Sequence, residues 1–149
     1  MRSPLEHQHV PEPLRHTDPA PAADAATTEN LLRCWVRETG VPQPEDGVLR
    51  LDLPASGTVV EASVLHWSAV GWHRFGPARM STGTPVAAPA LAALIAVETA
   101  ATDPEAVADL TARVIDSSRH VARFVQVRRE APEAPEGTTP FLAGEQSLI

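Results

Sequence analysis

Leu49, Leu51 and Leu53 alternate with Val48, Arg50 and Asp52, and the run ends in Pro54-Ala55-Ser56-Gly57. A period of two puts the three leucines on one face of a strand, and a proline followed by small residues and glycine is the chemistry of a tight turn. The chain must therefore come back alongside itself. It does so through Val59 to Trp67, where Val60, Ala62 and Val64 oppose Glu61 and Ser63, while Leu65 and Trp67 add apolar mass to the other face near the end. Ser68 to Gly71 can turn the chain into a short third strand, Trp72 to Phe75, which Gly76-Pro77 stops. These runs predict an antiparallel meander of three strands.

Helical patterns flank the meander and set the fold class as α+β. Thr27 or Thr28 can cap a first helix in which Leu31, Leu32, Trp35 and Val36 share a face, and Gly40 and Pro42 end it. Arg33 and Arg37 then fall on the opposite, solvated side, with Glu29 spaced to pair with Arg33. After the strands, an alanine-rich segment near Pro89 carries Leu91, Leu94, Ile95 and Val97. Asp103-Pro104-Glu105 opens the longest helix, because aspartate caps, proline suits the first turn and a carboxylate there complements the helix dipole. Its stripe is Val107, Leu110, Val114, Val121 and Val125, with Arg128 and Arg129 in the last turn. A loop over 131–138 leads to a last start signal, Thr139-Pro140, and to Phe141, Leu142, Leu148 and Ile149. Residues 1–22, rich in proline and without a sustained apolar period, read as a disordered tail, which leaves 23–149 as one domain.

Length and charge narrow the function classes. In 149 residues there is room for one modest domain, and 24 alanines dilute its apolar content. Twelve arginines, no lysine and nineteen acidic residues give a net charge of −7, which argues against a nucleic-acid partner. Without lysine there is no Gly-x-x-x-x-Gly-Lys phosphate loop, and no dinucleotide fingerprint occurs. No apolar run reaches the roughly 20 residues that span a bilayer, so no membrane partner is expected, and a single cysteine fits a reducing, cytoplasmic setting.

No catalytic residue and no metal site is expected within this chain. His7, His9 and His16 sit in the tail, where imidazoles seldom converge on a metal. His66 and His73 flank Trp67 and Trp72 across a turn and can approach each other, but a metal needs a third ligand, so they read as two partly buried, hydrogen-bonded histidines. His120 reads as a surface or interfacial residue of the long helix. Ser117 and Ser118 have no base nearby, and Cys34 reads as a small, partly buried core residue.

Three segments carry a resemblance to a known family. Leu31-Leu32-Arg33-Cys34-Trp35-Val36-Arg37-Glu38, Gly71-Trp72-His73-Arg74-Phe75 and Phe141-Leu142-Ala143-Gly144-Glu145-Gln146-Ser147-Leu148 together resemble the amino-terminal part of the siderophore synthetases that work independently of nonribosomal peptide synthetases, the aerobactin-synthetase-like (IucA/IucC-type) family. The resemblance runs from about Asn30 to Ile149. It implies an ATP- and magnesium-dependent ligase for siderophore biosynthesis that adenylates a citrate-type carboxylate and condenses it with an amine or alcohol. In that family the Glu-Gln helix start is followed by Gly-His-Pro-x-His-Pro and a lysine. Glu145, Gln146 and Ser147 match only positions adjoining that nucleotide motif and take no catalytic role, so this chain alone is expected to bind no cofactor, with the remainder of the synthetase as a possible separate chain. The alternative is a small noncatalytic binding or scaffold module. On the synthetase reading Phe141, Leu142, Leu148 and Ile149 form an exposed patch that the rest of the enzyme would cover, and the isolated chain is of marginal stability.

Overall fold

The computed structural model describes residues 18–100 and 103–130, so the expected last helix and its patch over 139–149, and most of the amino-terminal tail, lie outside the described residues. Element order is α1 Pro19–Thr39, β1 Val48–Leu53, β2 Thr58–His66, β3 Arg74–Phe75, β4 Arg79–Met80, α2 Ala88–Thr99 and α3 Pro104–Glu130. The α+β class, with one helix before an antiparallel meander and two after it, is as the sequence predicts.

β1 and β2 pair antiparallel with Leu51 opposite Val60 and Leu49 opposite Ala62. The alternation works as expected: Leu49, Leu51, Leu53 and Val60 are fully buried. Gly57, at a φ of 66°, takes the left-handed conformation that closes the turn between them, where a side chain would be strained. The far edge of β2 is shared by two short strands. β3 pairs near its end, Val64 opposite Phe75 and His66 opposite Arg74, while β4 pairs further back through Val60 and Glu61. One residue of β2, Leu65, thus lies between pairs formed by consecutive residues of β3, so it is a bulge residue and stays half exposed.

The third strand is shorter than predicted. Trp72 lies before it and is exposed, because Gly71 and the 68–71 turn carry the chain past the sheet edge before pairing resumes at Arg74. β4 was not foreseen; two residues give no periodicity to read. It belongs to a tight loop in which the Met80 amide donates to the Thr84 carbonyl at 2.7 Å and the Val86 amide to the Ala78 carbonyl at 2.9 Å.

α1 begins two turns before the predicted threonine caps. Asp18 is the cap, its Oδ1 accepting from the Ala20 amide at 2.9 Å, and Pro19 fits the first helical position. Residues 19–22 therefore belong to the helix and not to a tail. Thr27 and Thr28 lie inside it, buried, because the flanking alanines continue the helix past both. Gly40, at a φ of 66°, ends it as predicted, its amide donating to the Val36 carbonyl at 2.9 Å. Leu32 and Val36 enter the core, with Leu31 and Trp35 packed at its margin. Cys34 corrects the sequence reading: it is exposed, on the flank that Arg37 also occupies, and the Arg37 guanidinium approaches Sγ at 3.8 Å.

α2 supplies Leu91, Ala92 and Ala96 to the interior, and α3 packs along both α1 and α2. Asp103 caps α3 as predicted, Oδ1 accepting from the amides of Glu105 and Ala106. Of the predicted α3 stripe only Val114 is buried, and Phe124 and Val127 near its end are exposed.

Candidate functional site

Polar chemistry gathers where α1 crosses the segment leading into β3. Glu29 is the hub. Its Oε1 accepts from Arg33 at 2.9 Å, from Arg74 Nε at 2.6 Å and from the Phe75 amide at 3.3 Å, with its side chain only 15% exposed. The Glu29–Arg33 spacing was legible in the sequence, but Arg33 does not face solvent. Its side chain is 20% exposed, Nε donates to the His73 carbonyl at 2.7 Å, Nη1 to Asn30, and the guanidinium sits 5.5 Å from the centre of the Trp72 ring. One arginine thereby fastens a helix to a loop 40 positions away.

His73 is buried in that loop. Its Nδ1 accepts from the Ser68 amide at 3.1 Å, which leaves the proton of the neutral ring on Nε2, and the ring lies 4.0 Å from that of Trp67. Burial, then the nearby charge of Arg33, then His66 push its pKa below the ordinary histidine range. His66 itself is exposed, so only one of the predicted pair is buried. Among the described residues no group of three or more histidine, cysteine, aspartate or glutamate side chains is gathered for a metal. His120 is exposed, 3.5 Å from Asp116 across one turn, and Ser117 and Ser118 lie on the same helix. Glu145, Gln146, Ser147, His7, His9 and His16 lie outside the described residues.

Beside the Glu29 hub opens a cavity of about 450 Å³. One face of α1 forms a wall, since Pro21, Asp24, Ala25 and Thr28 recur at helical spacing. The opposite walls come from β2 and β3, from 76–78 and from 85–87. The tight loop around β4 holds those last two stretches together, which is why an element invisible in the sequence shapes the site. Asp24 reaches across to α2, its Oδ1 accepting from the Ala88 amide at 2.9 Å. α2 has no side-chain cap of its own, so a residue of α1 caps it.

No protein-family model, no curated protein and no solved structure matches this chain. Among the described residues no helix is long and apolar enough to cross a membrane.

Proposed function

We propose that this chain is the amino-terminal α+β part of a cytoplasmic siderophore synthetase of the aerobactin-synthetase-like type, a scaffold for a nucleotide site built from residues that follow it in that family. The observation that supports the reading is the junction of two of the three family-like segments. Arg33, from Leu31–Glu38, donates to the carbonyl of His73, from Gly71–Phe75, and Glu29 joins Arg33 to Arg74. Segments far apart in sequence that carry one resemblance thus form one local structure.

Citrate-type carboxylate activation by ATP and magnesium needs several cations around the triphosphate, because charge builds on phosphate oxygen as pyrophosphate leaves. This chain has no lysine, and Arg33 and Arg74 are engaged with Glu29. The chain alone is therefore expected to give no citrate-dependent exchange between pyrophosphate and ATP. Exchange that appears only on adding a separately produced polypeptide beginning with the Gly-His-Pro segment would make the chain one half of a split enzyme. Exchange by the chain alone, abolished by Arg74→Ala or Arg79→Ala, would contradict the reading.

A noncatalytic binding or scaffold module is the second reading, favoured by exposed Phe124 and Val127 on α3 and Trp72 beside the sheet. Light scattering after size exclusion, with a pull-down from the native host, separates the two. A monomer that captures nothing counts against the module.

A further inference from the structure

The cavity between α1 and the 85–87 stretch is of a size that holds small molecules, and its walls are mostly apolar. One polar group in those walls is unused. Thr27 returns its hydroxyl to the Ala23 carbonyl at 2.8 Å, the ordinary way for a helix to satisfy a threonine. Thr28, next along and buried, lines the cavity, and its Oγ1 has no hydrogen-bond partner among the described residues. A buried hydroxyl left unpaired is destabilising, and a threonine within a helix has two open χ1 rotamers, so the hydroxyl can be turned toward the cavity without moving the helix.

The charges of the site are already matched. Glu29 is held by two guanidinium groups and a backbone amide, and Asp24 accepts from Ala88 at the positive end of α2. Arg33 and Arg74 against Glu29 and Asp24 also sum to zero formal charge, so neither a cationic nor an anionic ligand meets a net counter-charge around the cavity. We propose that this cavity binds a small uncharged molecule with an aliphatic or aromatic body and one hydroxyl or amide group, the polar group making the hydrogen bond that Thr28 lacks. The inference is independent of the synthetase reading.

The test uses four probes that share one ring: benzyl alcohol, toluene, benzylamine and benzoate, titrated at pH 7 into the full-length ¹⁵N-labelled chain and followed by amide shifts. Benzyl alcohol should give saturable shifts at Thr28, Leu65 and Val86, at least tenfold tighter than either ion. Ala25→Phe, which adds bulk on the cavity face of α1, should abolish them, and Ala25→Met is the milder variant if the first fails to fold. Thr28→Val should weaken benzyl alcohol about fivefold, the worth of one hydrogen bond, and leave toluene unchanged. Absence of saturable shifts, equal binding of benzylamine or benzoate, or shifts that survive both filling variants would overturn the proposal. Equal effects of Thr28→Val on benzyl alcohol and toluene would overturn the role of the hydroxyl.

Discussion

Replacing Glu29 by alanine leaves the Arg33 guanidinium largely buried beside the His73 carbonyl with its carboxylate gone. Removing one partner of a fully buried pair costs roughly 3 to 5 kcal/mol; partial exposure of Arg33 reduces the expected loss to about 2 kcal/mol, measurable by urea unfolding. Glu29→Gln should recover part of it, since an amide oxygen still accepts from the Phe75 amide. His73 sets a pH dependence. Its folded pKa lies below the ordinary histidine value of 6.5, so as pH falls through 6.5 the unfolded chain takes up the proton first and stability declines until the folded pKa is passed. Protonation at Nδ1 also removes the acceptor of the Ser68 amide. The thermal midpoint should therefore fall between pH 7.5 and 5.5, a window above most carboxylate titration, and His73→Gln should flatten that slope. A slope unchanged in the variant would place its origin elsewhere.

At the scale of elements, β1, β2 and the cap of α3 were legible because their signals are local: a period of two, a turn with glycine, an aspartate before a proline. The start of α1 escapes a local pattern for a physical reason. Proline inside a helix breaks its hydrogen-bond ladder, and five in the first 22 residues suggest disorder, yet Pro19 occupies the first turn, where its missing amide costs nothing. The site was legible only in part. Glu29–Arg33 is a one-turn pair that spacing reveals, whereas Glu29–Arg74 and Asp24–Ala88 join positions 45 and 64 apart, and no local pattern announces them. β4 is too short to have a period, and it frames the cavity. Asp24→Ala should cost about 1 kcal/mol, as for a lost helix cap, and Asp24→Asn much less. Gly40→Ala should cost a similar amount by forcing a side chain into the left-handed region, although a methyl group there would touch nothing within 4 Å. Equilibrium unfolding of the three variants checks both expectations.

At the scale of the molecule, the large apolar side chains left open among the described residues are split between Leu65, Val70 and Trp72 beside the sheet and Phe124 and Val127 on α3. Val70 and Val127 are 80% and 52% exposed, so Val70→Ser and Val127→Glu should change stability by no more than about 0.5 kcal/mol. They should also raise the concentration at which the chain stays monomeric by size exclusion; a large loss of stability would mean that these side chains are covered in solution. The two ends of α2 bear on how the molecule comes together. At its start Asp24 of α1 caps it, and near its end Glu98 accepts from the Ala55 amide in the turn between β1 and β2. Twelve residues are at the lower limit for a helix in water, so α2 gains its first amide protection only once both partners are in place, and pulse-labelled exchange during refolding should show the hairpin protected first. On the ribosome, where the chain emerges from its amino end, α1 and the hairpin are both synthesised before α2, and the helix that needs them meets partners already made.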